Sequence, residues 1–155
     1  MTGGRFLHSP WLGEIEWFSA AELLFPAGLP GFESERRILP VEIPAQRPLI
    51  YLQSLECHDV CFVTLPVLAI DPSFELRLSR DDILALGLSP CKFPVLGEDA
   101  LCLALLVPAE GTVQVNLNAP VVINLRRGVG AQCNQTGDLV KGRFLLKEQG
   151  WEAMC

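Results

Sequence analysis

Short runs of alternating apolar and polar residues, cut apart by proline and glycine, limit this chain to a narrow set of folds. Phe74-Glu75-Leu76-Arg77-Leu78 and Val113-Gln114-Val115-Asn116-Leu117 each put apolar side chains on one face and polar ones on the other. That is the pattern of a strand with one solvated face. Residues 49–55, 60–67 and 101–107 are nearly continuous in apolar side chains and bounded by proline or charge, which predicts central strands too short to be typical helices. The β-branched run Pro120-Val121-Val122-Ile123-Asn124-Leu125 predicts another strand beginning at Pro120, a position that needs no ladder donor. The expected fold is mainly β: a single-domain, antiparallel β-barrel-like structure with one or two short helices, closure removing exposed sheet edges.

One helix has both of its punctuation marks. Ser79 is placed to cap, Asp82 completes a capping box, Ile83, Leu84 and Leu86 supply an apolar side, and Gly87 ends the helix in a left-handed conformation. A similar Ser19 to Glu22 spacing precedes Leu23-Leu24-Phe25-Pro26, but Pro26 stops any helix there and a strand suits the apolar pair better. The expected organisation is an N-terminal extension over residues 1–10, a β domain over 11–133, and a C-terminal segment over 134–155 whose sequence fits neither period.

A chain of 155 residues buries roughly 70% of its unfolded surface, enough for one core without staples. Its net charge is −6, and residues 1–125 hold 15 acids against 7 bases while 126–155 hold 3 against 5. The acidic body opposes attraction to phosphate backbones or anionic lipid and favours a basic partner. The longest uncharged apolar runs are about half the ~20 residues that span a bilayer. Residues 1–10 have no apolar stretch of signal-peptide type, so a cytoplasmic location is expected. In that compartment Cys57, Cys61, Cys91, Cys102, Cys133 and Cys155 are expected as thiols, Cys102 as a core residue.

No catalytic constellation accompanies this pattern. His8 and His58 are the only histidines, no serine lies in a G-x-S-x-G elbow, and no H-E-x-x-H or phosphate-binding glycine loop occurs. Gly128-Val129-Gly130 lacks the third glycine of a dinucleotide site and reads as a turn. Cys57-His58-Asp59-Val60-Cys61 offers three metal-ligand side chains, but structural zinc uses two ligand pairs and no second pair is present. A hairpin turn is the preferred reading, and neither metal nor cofactor is expected. Asp81-Asp82 and Glu98-Asp99 read as solvated charge, the first pair also answering the helix dipole. The chain is expected to bind rather than catalyse.

Three blocks carry a resemblance. Gly13-Glu14-Ile15-Glu16 is followed by Leu24-Phe25-Pro26-Ala27-Gly28-Leu29-Pro30-Gly31-Phe32-Glu33, in which Gly28 and Gly31 suit positive φ, Pro30 stiffens the turn, and Leu29 with Phe32 is expected to anchor the loop in the core. The second block runs through Leu39-Pro40, Pro48-Leu49, Leu52-Gln53-Ser54, Phe62-Val63-Thr64 and Pro66 to Asp71-Pro72 and Phe74-Glu75-Leu76. The third is Asn116-Leu117-Asn118-Ala119-Pro120-Val121-Val122-Ile123-Asn124. Together they resemble the flagellar assembly factor FliW family over about residues 11–133. Gln114 stands where the family usually has threonine, and Phe74 where it usually has tyrosine.

The resemblance implies a small β-barrel-like domain that works by partner switching. Such a protein binds flagellin and the basic RNA-binding translational regulator CsrA, antagonising CsrA repression of flagellin mRNA when flagellin is exported. It also marks Gly28, Pro30, Gly31, Phe32, Asn116, Asn118, Ala119, Pro120 and Asn124 as family-motif or partner-binding positions. Asn116 and Asn124 are expected either to hydrogen-bond across a strand and turn fixed by Pro120, or to touch a partner directly. Charge makes Asp71, Asp81, Asp82, Glu98, Asp99 and Glu110 candidates for an acidic steering face. Alternatives are a direct RNA-binding β-barrel, a chaperone of flagellin only, and an enzyme with a dispersed site. The thin basic footprint, Arg126-Arg127 beside the last strand, disfavours the RNA reading.

Overall fold

The alternation at residues 113–117 and the β-branched run after it form one long strand, β8 (Thr112–Asn124), in the computed structural model. The structure describes residues 4–89, 91–92, 94–135, 141–147 and 150–154. Before β8 come β1 (Arg5–Ser9), β2 (Gly13–Trp17), β3 (Leu23–Leu24), β4 (Arg37–Val41), β5 (Ile50–Ser54), β6 (Cys61–Pro66), α1 (Val67–Ile70), α2 (Arg80–Leu86) and β7 (Ala100–Ala109). After it come β9 (Val129–Gln132), β10 (Lys141–Lys147) and β11 (Gly150–Met154). The pairing order β8-β7-β6-β5-β4-β3-β9 closes where β9 returns to β8, giving a seven-stranded barrel. Its pairs are antiparallel except the short β3–β9 contact.

Strand parity sorts the apolar side chains into three cores. Phe25, Ile38, Ile50, Leu52, Leu103, Val121 and Ile123 belong to the cluster inside the barrel. On the outer face of β6–β8, Leu65, Cys102, Val113, Val115 and Val122 pack beneath Val67 of α1, Leu86 of α2 and Leu76 from the segment between the two helices. On the outer face of β4–β5, Leu39 and Leu55 are covered by Leu7 and Trp17 of the β1–β2 hairpin. Arg5–Ser9, within the expected extension, is therefore the first strand of a hairpin that covers apolar surface.

Pro120 does not begin a strand; β8 passes through it. β7 pairs Leu103 with Val121 and then Leu105 with Asn116, so residues 117–120 bulge opposite Ala104 alone. A bulge interrupts the ladder, and that is why a residue without an N–H is tolerated in mid-strand. The same flank of β8 pairs with β10 through residues 113–116 and with β9 through residues 121–124. The bulge thus divides the barrel wall from a sheet extension, β8-β10-β11, built from the segment whose sequence fits neither period.

Residues 74–78 correct a second expectation. They form no strand, although Leu76 is buried and Phe74 and Leu78 pack on the outer core. The Arg77 N–H and C=O are met by the side-chain amide of Gln135, both at 2.7 Å. Alternation there records one-sided burial, with a side chain replacing the ladder. The capped helix does form: Ser79 Oγ accepts the Asp82 N–H at 3.1 Å, and Gly87 closes α2 at φ 66°. Leu86 is buried, whereas Leu84 points to solvent. Residues 19–21 make only a 3-10 turn before β3, as Pro26 requires. Among the described residues no helix is long and apolar enough to cross a membrane.

Candidate functional site

The loop of the first motif is a compact plug in the barrel. The Gly28 N–H donates to Phe25 C=O at 2.9 Å, and the Phe32 N–H to Leu29 C=O at 2.6 Å. Gly28 and Gly31 have φ of 63° and 84°, the left-handed region open to glycine at least cost. Phe25 and Leu29 are buried in the barrel core, and Pro30 is exposed. Phe32 departs from its expected role: it is 42% exposed and meets the Phe62 ring edge-on at 5.0 Å between centroids. Leu29 alone anchors the turn, while Phe32 forms part of the surface.

The second motif is the bulge itself. Asn116 Oδ1 accepts the Asn118 N–H at 2.9 Å, an Asx turn that starts the bend. The carbonyls of residues 118–120 are taken by the end of β9 and the chain that follows it. Asn118 C=O accepts the Gln135 N–H at 2.6 Å, Ala119 C=O the Gln132 side chain at 2.9 Å, and Pro120 C=O the Cys133 N–H at 2.9 Å. Asn116 and Asn124 do not bond each other. Asn124 is buried, donates Nδ2 to Leu86 C=O at 2.8 Å and accepts the Arg126 N–H at 3.0 Å, which ties the end of α2 to the end of β8. Asn118, Ala119 and Pro120 thus enter the fold's hydrogen bonds through their carbonyls, and Asn124 through its side chain.

The six acids do not form one patch. Asp71 bonds the Ser73 N–H and hydroxyl. Asp81 is exposed, whereas Asp82 is partly buried beside Cys133. Asp99 accepts the Val95 N–H at 2.9 Å and pairs with Arg126 at 3.4 Å, while Glu98 next to it is exposed. Asn124 and Arg126 join the C-terminus of α2 to the Asp99 turn, whereas Asp82, in the first turn of α2, lies beside Cys133, whose N–H donates to Pro120 C=O at the bulge. Arg127 lies against Gly87 at the C-terminus of α2, where a cation suits the helix dipole. Glu110 sits at the tip of the β7–β8 hairpin, roughly 36 Å along the chain of β7 from Asp99 at about 3.3 Å per residue.

Cys57 to Cys61 turn the chain between β5 and β6, with the Val60 N–H donating to Cys57 C=O at 3.0 Å. Among the described residues no three His, Cys, Asp or Glu side chains converge as a metal site. Burial pushes the Cys61 thiol up to about 11 and that of Cys102 up to about 12. Burial, reinforced by the Asp82 carboxylate, pushes Cys133 up to about 12. Cys91 is exposed. Alkylation of the native protein at pH 8, read by peptide mass mapping, is expected to modify Cys91 and spare Cys102 and Cys133 until denaturant is added, because reaction requires an accessible thiolate. Equal native-state modification of all three would contradict this burial.

Sequence reasoning missed the outer face of the β1–β2 hairpin. Phe6 pairs across from Glu16, and His8 from Glu14; all four are exposed, opposite the buried Leu7 and Trp17. Phe18 continues in extended backbone on the Phe6 side and is 53% exposed, against 72% for Phe6. The period-two signal is present in Phe6-Leu7-His8 and Glu14-Ile15-Glu16-Trp17-Phe18, but an apolar residue on each face hides which side is the core.

Comparison with known proteins gives concordant relatives. The family model described as FliW protein matches residues 7–144. The flagellar assembly factor FliW of Thermosipho africanus is 34% identical over 137 residues, covering 88% of this chain and 92% of the relative. The protein of the same description from Natranaerobius thermophilus is 32% identical over 149 residues, covering 94% and 95%. A crystal structure of the flagellar assembly factor FliW superposes with a TM-score of 0.73 at 26% identity, covering 86% of this chain and 91% of that one.

Proposed function

This chain belongs to the FliW family, and from that premise we propose that it is a cytoplasmic flagellar assembly factor acting as a non-catalytic partner switch between flagellin and a CsrA-type translational regulator. The observation that carries the reading is the family match across residues 7–144, which takes in the barrel, the hairpin that covers it and the bulge that organises it. Flagellin occupies the chain when plentiful. On export of flagellin the freed chain binds the regulator and relieves repression of flagellin mRNA, a circuit of mass action through one shared binder. The absence of catalytic motifs and the −6 charge are consistent with a binder of a basic protein.

The RNA-binding alternative has only a thin basic footprint to support it. Of its two neighbouring arginines, Arg126 pairs with Asp99 and Arg127 lies against Gly87 at the helix end. Pull-down at moderate salt with purified CsrA and flagellin of the same organism tests the proposal: a stable complex with each, in competition, is expected. Failure of both with folded protein rejects it.

The acidic residues enter as steering charges. Among Asp81, Asp82, Glu98 and Asp99, the exposed members are Asp81 and Glu98. An Asp81→Lys/Glu98→Lys variant is expected to slow association with the regulator by about threefold to tenfold at low salt, with little change in dissociation or melting temperature. An association rate equal to that of the unaltered protein rules out steering by these two.

A further inference from the structure

A two-stranded hairpin is marginal alone, so β1–β2 holds its shape through its inner face. Leu7 and Trp17 pack on Leu39 and Leu55, and at the tip the Trp11 indole N–H donates to Asp59 C=O at 2.8 Å, pinning the hairpin to the β5–β6 turn. Arg5, the hairpin's base, is turned over the Trp17 ring, 5.5 Å from its centroid. The outer face is thereby backed by packing on its inner side and carries no lysine or arginine on β1 or β2.

That face has a definite chemistry. Phe6 lies directly across from Glu16, and Phe18, two residues on, is the diagonal neighbour of Phe6 at roughly 7–8 Å. A Cβ on Gly4 would overlap the Glu16 side chain, so glycine there leaves room for the carboxylate beside the two rings. Glu14 extends the negative charge along the strand, and among the described residues neither glutamate has an ion-pair partner. Single exposed apolar side chains are ordinary, but two phenylalanines bracketing a carboxylate on a packed hairpin are not explained by solubility. A guanidinium fits all three groups, stacking its plane on an aromatic face while its N–H groups meet the carboxylate.

We propose that the outer face of the β1–β2 hairpin, Phe6, Phe18 and Glu16 with Glu14 beside them, is the docking surface for an arginine-bearing segment of the basic partner. The proposal rests on the partner-switch reading and adds to it a surface and a recognised side chain. It also separates two roles. Asp81 in the first turn of α2 and Glu98 in the turn before β7 act on approach, whereas contacts at the hairpin act on residence.

Binding kinetics with a purified CsrA-type regulator test this, using the full chain and two variants, Phe6→Ser/Phe18→Ser and Glu16→Gln. The double variant is expected to dissociate about tenfold faster and Glu16→Gln about threefold faster, with association changed by less than about twofold. Because the altered side chains are exposed, melting temperature stays close to that of the unaltered protein and serves as the control for folding. In a scan of the regulator's exposed arginines to alanine, one replacement is expected to speed dissociation from the unaltered chain and to add nothing against the double variant. Dissociation of the double variant within about twofold of the unaltered chain overturns the hairpin as the docking surface, and so does an arginine scan without coupling. A regulator that does not bind the unaltered chain removes the partner-switch reading, and this inference with it.

Discussion

Replacing Gly28 by alanine is expected to cost about 3 kcal/mol or more of folding stability, lowering the melting temperature by about 6 to 12 °C. Two effects add. A residue with a Cβ pays about 1–2 kcal/mol to hold the left-handed backbone found at φ 63°. The new Cβ would also stand 2.5 Å from Phe32 O, 2.6 Å from Glu33 Cα and 2.8 Å from Glu33 C, all main-chain atoms that no side-chain rotation can clear. Relief requires opening the turn that closes through the Leu29–Phe32 bridge, which withdraws Leu29 from the barrel core. Gly31 is the internal comparison. Its φ is 84°, but nothing lies within 4 Å of its added Cβ, so Gly31→Ala pays the backbone term alone, about 1–2 kcal/mol. Chemical denaturation of both variants decides the point, and a Gly28→Ala loss no larger than that of Gly31→Ala rejects the steric argument.

What could be read ahead of the structure, and what could not, follows from where each signal originates. The Ser79 cap, Asp82 and Gly87 act within one turn of helix, so local sequence specifies α2. Barrel strands β5, β6 and β7 are buried enough to write continuous apolar runs. Residues 74–78 show the limit of that logic, because alternation reports which side faces a core and is silent about what satisfies the backbone. Gln135, distant in sequence, supplies that answer. Pro120 illustrates the same limit. Proline excludes a ladder donor, and both a strand start and a bulge meet that condition; the choice is made by the 117–120 register shift against β7 and by the carbonyl partners from residues 132–135. At the candidate site, Gly28, Gly31 and Leu29 were legible through turn chemistry. The hairpin face was not: β2 alternates Glu14 and Glu16 against Ile15 and Trp17, but Phe6 and Phe18 put apolar side chains on the polar side, and nothing local marks them as exposed.

Asn124→Ala is expected to be the other large loss, about 2–4 kcal/mol, and it bears on whether the last motif is scaffold or contact. The side chain is 4% exposed and joins two main-chain groups, Leu86 C=O, the final carbonyl of α2, and the Arg126 N–H. Alanine removes both bonds and leaves a small void, so each orphaned group loses its partner without full access to water. The effect should reach α2 first, because Leu86 is the helix's fully buried anchor and α2 lies against β9. Hydrogen exchange is therefore expected to rise in residues 80–88 ahead of the barrel strands. A buried asparagine bonded at both ends inside the fold presents almost no surface to a partner. Regulator affinity, corrected for the folded fraction, should accordingly stay within about twofold of the unaltered protein. A variant that melts normally yet fails to bind would reverse the assignment and make Asn124 a contact residue, at the cost of explaining how a partner reaches an atom held between α2 and β8.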